Sequence, residues 1–439
     1  MTMFLYNLRI AAKSLRRNPV LTTLLIGAIA LGICVSTTFV ALRHIFEKDP
    51  LPGTSQNLHY VRLDNWDPTR AYNADDPNSV PTMTTYRDAR ELMKSSIPTR
   101  QTASYTAGFF VFPEKKKGTP YSTNVRMASS DFFPMFKLPF QYGSGWDKAA
   151  DAKPEQVVVI DSEQNEKLFG GGNNVGKSVR IGERDYKVVG ILAPWRPSFR
   201  YYDFASNLAP LTEGFYMPFN FTPILELFPS GNSDGWKSPD GNDYQSALMS
   251  EQTFLSFWVE LPTTGQQAAY RELLGNYIRD QKKHGRFERP LHFELTSMPD
   301  LMDEVKVVPP AVKSMSIVSL LFLAVCSLNL VGLLLGKFLG RVPEVSVRRA
   351  LGASRWQVFL QHVVECELVG AAGGAIGLLL SIGVLKLIAK AMPNGGAISL
   401  DLEMVAISVF LSLVAGLVAG LYPSWRVCSV APAMQLKVQ

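Results

Sequence analysis

The sequence predicts an α-helical membrane protein with four transmembrane helices and one large extracytoplasmic α+β domain of two lobes. Three observations carry this. Four apolar blocks of near-spanning length stand in a chain of 439 residues, a long polar stretch (44–313) separates the first block from the second, and basic residues crowd the short segments on one side. At 47% hydrophobic and 19% charged, the chain is more apolar than an ordinary soluble protein, and its length admits two or three domains.

Before the first block, Phe4, Leu5, Leu8, Ala11, Ala12 and Leu15 recur at helical spacing, with Arg9, Lys13, Arg16 and Arg17 on the other face. Residues 1–19 are therefore expected as an interfacial helix ended by Asn18 and Pro19, its cations against anionic lipid. A span needs roughly twenty residues to cross about 30 Å of hydrocarbon. The first (20–43) carries its uncharged run from Val20 to Leu42, and is too long for the apolar region of a cleaved signal, so it is expected to be retained. The second (314–336) runs from Ser316 to Gly336 with Asn329 as its polar intruder. The third (363–389) has its apolar run from Leu368 to Ile388, interrupted by Lys386, and the fourth (403–422) has its own from Val405 to Leu421. Gly373, Gly374, Gly377, Gly416 and Gly420 would let helix backbones approach closely where lipid removes the hydrophobic drive.

Positive residues near span ends stay in the cytoplasm. Arg9, Lys13, Arg16 and Arg17, then Lys337, Arg341, Arg348, Arg349 and Arg355, place the N-terminus, the 337–362 loop and the 423–439 tail inside, and leave 390–402 as a short outer loop. Residues 44–313 hold 30 Lys and Arg against 33 Asp and Glu, so the outer domain is slightly acidic at −3, and the 14 basic and 5 acidic residues left give the rest +9 within the net charge of +6. Basic charge here is topology and lipid head-group contact, and no nucleic-acid partner is expected. Cys34, Cys326, Cys366 and Cys428 all lie in or beside spans, which leaves the outer domain to hold itself together without disulfides.

Within 44–313, Leu58 to Leu63 has the pattern of a strand and Met83 to Lys94 that of a helix. Gln156 to Ile160 and Ser178 to Leu192 are dense in Val and Ile, with a hairpin turn at Gly182 to Asp185. Residues 194–250 show little periodicity and are expected as decorating loops. Thr253 to Leu261 predicts a strand, Ala268 to Lys283 a helix and Leu291 to Leu295 a strand. This order suggests a membrane-proximal α/β lobe built from both ends of the domain and a mainly β lobe inserted at about 125–250.

Gly171 to Ser178 spells G-x-x-x-x-G-K-S, the pattern of a nucleotide-phosphate loop. That mechanism needs a strand before it and a helix after it. The order here is reversed, because Glu163 to Phe169 has a helical pattern and Ser178 to Gly190 that of strands, so the match is judged false. With it gone, the chain has no ATP-binding motif and any ATP must be bound by a partner. The five histidines, His44, His59, His284, His292 and His362, show no ligand spacing, so no metal is expected. Lys115, Lys116 and Lys117 suggest a solvated loop. Glu365 and Glu367, at the mouth of the third span, are expected to pair with Arg348 or Arg355. No nucleophile and base stand at meaningful spacing, so the chain is not expected to be an enzyme.

The candidate docking surface is an amphipathic helix expected from Val345 to Phe359, carrying Arg348, Arg349 and Arg355 with Leu351, Trp356 and Phe359 available for burial and Gly352 near its middle. Arg348 to Ser354, R-R-A-L-G-A-S, with Glu344 upstream and Glu365 downstream, resembles the cytoplasmic signature of the FtsX and MacB type permease family of ABC transporters. The opening N-L-R-I-A-A-K-S-L-R-R-N-P from Asn7 to Pro19 is similar to that family's, as are Asp131, Phe132 and Phe133, Val157 to Ile160, L-F-G at Leu168 to Gly170, Val175 to Lys177, Val188 to Gly190, Tyr422 to Arg426, and Ala431 to Ala433. Residues 194–250 fit poorly, Pro343 would cap or kink the docking helix, and Trp425 stands where a small residue is commoner.

The resemblance implies a bacterial inner-membrane permease paired with a second, identical or homologous one. Two cytoplasmic ATPase subunits would dock on Glu344, Arg348, Arg349, Ala350, Leu351, Gly352, Ala353, Ser354, Arg355 and Trp356, and their closure would move the periplasmic domain mechanically to export or release a substrate. It admits a periplasmic adaptor or substrate protein as a further partner, and makes the L-F-G and G-K pair a structural turn. The alternatives are a membrane regulator that activates a periplasmic or cell-wall enzyme, and a membrane-anchored sensor or binding module.

Overall fold

The computed structural model describes residues 9–11, 13–15, 17–112, 119–153, 155–195, 197–204, 212–391 and 401–429. Lys115, Lys116, Lys117, Ala431, Pro432 and Ala433 lie outside the described residues, as does most of the 390–402 loop. The chain forms two compact units, one helical (Met1–Lys48 with Val308–Gln439) and one built on a sheet (Asp49–Val307).

The first span lies in α1 (Pro19–Glu47), opened by a proline where a helix has no use for a backbone donor. The sheet unit then begins with β1 (Leu58–Leu63), β2 (Thr84–Thr85) and α2 (Tyr86–Leu92), which Thr85 caps by accepting from the Asp88 amide at 3.0 Å. It continues through β3 (Arg100–Phe112), β4 (Tyr121–Ala128), β5 (Phe140–Gly143), β6 (Val157–Ile160), α3 (Ser162–Phe169), β7 (Ser178–Ile181), β8 (Arg184–Leu192), β9 (Phe215–Pro218), β10 (Thr253–Glu260), α4 (Thr264–Lys283) and β11 (Phe293–Ser297). The β7–β8 pair forms the expected hairpin. The helix α4 starts four residues before its periodic run because Thr263 and Gln266 form a capping box.

All eleven strands join one mixed sheet in the order β11-β1-β10-β3-β4-β9-β6-β8-β5, with β2 on β10 and β7 on β3 and β8. The strands from both ends of the domain do gather at one end of it and the middle strands at the other, but the lobes share a sheet. Their joint is β3, which pairs Arg100 to Ser104 with β10 and Ser104 to Val111 with β4.

Residues 194–250 are more than decoration. Phe215–Pro218 is β9, fully buried between β4 and β6; four residues without alternation, ending in proline, leave no strand signature. The same stretch supplies Asp203 and Glu213, each 2.7 Å from the guanidinium of Arg126, whose side chain is 0% exposed and lies 4.8 Å over the Tyr202 ring. Burial opposes ionisation of Glu213, yet Arg126 and Arg200 hold its carboxyl below the usual range. Removing one side of such a network strands charge in the interior, so Arg126→Ala should destabilise the sheet unit by about 3–5 kcal/mol in chemical denaturation.

Asp161 caps α3, accepting from the Gln164 amide at 2.7 Å, and burial pushes its carboxyl up to about 6. The folded chain therefore keeps that proton to higher pH than the unfolded chain. Stability from this group grows as pH falls through 6 and is absent above it. Asp161→Asn, which still caps, should raise the melting temperature at pH 8, with the gain shrinking as pH is lowered below 6. Beyond α3, Asn174 Nδ2 donates to the Gly171 carbonyl at 2.8 Å and Lys177 Nζ donates to Asn174 Oδ1 at 2.7 Å. A helix precedes this turn and strand β7 follows it.

The helical unit adds α5 (Pro310–Leu339), α6 (Val342–Ala350), α7 (Arg355–Ala391) and α8 (Leu402–Ser429). Among the described residues, α1, α5, α7 and α8 are long and apolar enough to cross a membrane. At about 1.5 Å per residue, α7 is roughly 55 Å long and outreaches the hydrocarbon by several turns. It packs on α1 and α8 through the glycines the sequence singles out. A Cβ on Gly377 would stand 2.6 Å from the Ala30 carbonyl oxygen, and one on Gly374 2.4 Å from Ser412.

Candidate docking surface

Residues 342–359 are not one helix. Pro343 sits in the first turn of α6, where its missing N–H costs nothing, so it starts the helix instead of kinking it. The helix stops after Ala350. Gly352 takes φ +103, its amide donates to the Arg349 carbonyl at 3.2 Å, and the Ala353 amide donates to the Arg348 carbonyl at 3.1 Å. That is a Schellman C-cap. Ser354 then begins α7 with a capping box, its hydroxyl accepting from the Gln357 amide at 3.2 Å while the Gln357 side chain accepts from the Ser354 amide at 3.0 Å. The L-G-A-S letters are thus a stop, a left-handed residue, a link and a start, and a helical pattern running through Gly352 hid them.

The expected site residues all lie on this helix-turn-helix but divide the work. Gly352, Ala353 and Ser354 make the turn. Glu344 and Arg348 pair at 2.7 Å one turn apart, and Arg348 also reaches Gln361 at 3.3 Å. Arg349 donates to the Cys428 carbonyl at 3.1 Å, tying α6 to the end of α8. Val342, Val345 and Ser346 are buried against the helical unit. Ala350 and Arg355 are exposed, Leu351 is 84% exposed, and Trp356 is 65% exposed while stacking on Phe359 at 5.2 Å. An apolar knob with arginines around it stands on a rigidly capped turn.

Behind the knob is a charge cluster. Glu365 does not pair with Arg348 or Arg355. It meets Lys337 Nζ at 2.6 Å, both side chains 1% exposed, with Arg341 at 3.4 Å and a hydrogen bond from the Ser14 hydroxyl. The last turn of α5 faces α7 three turns in from its start, so Lys337 in that turn and Arg341 just beyond it, four residues apart, reach Glu365 first. That spacing was the available signal for both. Glu367 lies instead near Gly416 on α8, with one carboxylate oxygen buried and unpartnered among the described residues.

A MacB-like periplasmic core domain model matches residues 22–275, and an FtsX-like permease C-terminal model matches residues 316–432. A macrolide export ATP-binding/permease protein MacB from Chlorobium luteolum is 22% identical over 98% of this chain and 59% of its own length. An uncharacterized ABC transporter permease from Bacillus subtilis, YvrN, is 22% identical over 70% of this chain and 68% of its own length. Against the periplasmic region of MacB from Actinobacillus actinomycetemcomitans the identity is 14%, with a TM-score of 0.36 over 59% of this chain and 98% of that one. The chain spans about half the length of the MacB relatives it matches. With more than half of its residues in the first of these two models and the second covering the last three spans, the chain belongs to the MacB/FtsX family of ABC transporter permeases.

Proposed function

We propose that this chain is a permease subunit that converts ATP hydrolysis on a separate cytoplasmic ATPase into movement of its periplasmic domain, driving export or release of a substrate on the outer side. The observation that supports it most is the exposed Leu351 and Trp356 on a doubly capped turn that leads without a break into the 37-residue α7. A force applied at the turn enters a rigid rod that crosses the membrane. In this reading the N-terminus, the 337–362 segment and the C-terminus face the cytoplasm of a bacterial inner membrane. Two ATPase subunits grip two permeases, identical or homologous, with a periplasmic adaptor or substrate protein as a further partner. We also infer that Gly171 to Ser178 holds no nucleotide in this chain. Its lysine is engaged by Asn174, and no helix N-terminus follows to meet phosphates.

The test uses the chain co-expressed with the separate ABC ATPase subunits of its own genome. Leu351→Asp paired with Trp356→Asp should abolish co-purification of the ATPase while leaving the melting temperature of the detergent-solubilised permease unchanged, since both side chains are largely exposed. Undisturbed co-purification would show that the ATPase docks elsewhere, and a wild-type chain that brings down no ATPase would favour a sensor or binding module instead.

A further inference from the structure

We propose that His44, Asp401 and Glu403 form a binding site for a divalent transition-metal ion of the zinc type, at the end of the helical unit opposite the docking turn. His44 lies in the last turn of α1, Asp401 caps α8 by accepting from the Met404 amide at 3.0 Å, and Glu403 follows in its first turn. His44 is far in sequence from Asp401 and Glu403, so the histidine inventory alone gives no metal-ligand spacing. In space, His44 Nε2 is 3.5 Å from Asp401 Oδ2 and 3.7 Å from Glu403 Oε2, and the three donor atoms lie within 4.8 Å of one another.

Two features separate this from an ordinary polar rim. Tetrahedral coordination with bonds of about 2.1 Å sets ligand atoms about 3.4 Å apart, so the imidazole-to-carboxylate distances are already those of a shared ion, too long for direct hydrogen bonds. His44 Nε2 is also buried and has no hydrogen-bond partner among the described residues, although it points at two carboxylates. One imidazole nitrogen with two carboxylate oxygens suits zinc and its neighbours better than calcium or magnesium, which take oxygen alone. Three protein ligands leave one position open to solvent. The competitor is Lys48, whose ammonium is 3.1 Å from Asp401 Oδ2 on a largely exposed side chain that is free to swing away. An ion here would tie the end of α1 to the start of α8, fixing the outer ends of two helices whose other regions pack around the glycines of α7.

The experiment uses the full chain without an affinity tag, in detergent, stripped with a chelator and then titrated with Zn2+ by calorimetry, with Co2+ absorption as a report of coordination geometry. One Zn2+ per chain is expected, with visible Co2+ bands of a four-coordinate site and a rise in melting temperature. His44→Ala should abolish all three, and Glu403→Gln should weaken Zn2+ by at least about 10-fold. Lys48→Ala should bind Zn2+ more tightly than the wild type, an effect that misfolding cannot imitate. The proposal is overturned if His44→Ala binds Zn2+ like the wild type, or if no ion binds and the three groups simply share a proton.

Discussion

Glu365→Ala is expected to cost the helical unit about 3–5 kcal/mol, read as a large drop in the unfolding midpoint of the detergent-solubilised chain. Glu365 carries one negative charge against Lys337 and Arg341, and both it and Lys337 are sealed from solvent. Removing the carboxylate leaves an ammonium with no counter-charge in a region that water does not reach. The reverse change is milder, because in Lys337→Met the carboxylate still has Arg341 and the Ser14 hydroxyl. A double-mutant cycle should therefore show Glu365→Leu with Lys337→Met closer to wild type than Glu365→Leu alone, since an apolar pair can fill the space of a buried ion pair at little net cost. If the cluster also passes motion between α5 and α7, that double variant will regain stability yet leave ATPase activity of the complex unresponsive to the permease. Additive costs across the cycle would mean that the close approach of Lys337 and Glu365 carries no coupling.

What could be seen in the residues tracks how local the physics is. The four spans follow from apolar length alone, and β1, the β7–β8 hairpin and α3 from patterns within a dozen residues. The failures sit where a neighbour distant in sequence decides. The strand β9 exists because β4 and β6 flank it, so Phe215 to Met217 needed no alternation of their own. Glu365 chose Lys337 over Arg348 because of how α5 and α7 lie, and His44 met Asp401 only once α1 and α8 were side by side. The docking turn is a different kind of miss. Its Gly352 and its Ser354 and Gln357 capping box are local and legible, but a helical period through Arg348, Arg355 and Phe359 runs across the stop signal between them and masks it.

Gly352→Val is the second substitution with a large expected effect, and it acts on function more than on folding. At φ +103 an L side chain is strained whatever the space around it; nothing lies within 4 Å of a Cβ placed there, so the cost is in the backbone and not in a clash. For a β-branched residue that strain is about 1–3 kcal/mol. The turn can relieve it by giving up the two C-cap hydrogen bonds from Gly352 and Ala353, which frees Leu351 from its fixed position on the turn. Because the turn is at the surface and the four spans do not depend on it, the melting temperature should barely move. The affinity of the ATPase should fall by about 5- to 150-fold, the factor by which 1–3 kcal/mol of lost preorganisation lowers an association constant. Ser354→Ala, which removes only the α7 cap, should lose less, about 0.5–2 kcal/mol. Leu351→Asp removes the contact without disturbing the turn, so equal losses from Gly352→Val and Leu351→Asp would mean the partner needs the knob held in place and not merely present. Wild-type affinity in Gly352→Val would show that the ATPase does not recognise the geometry of this turn.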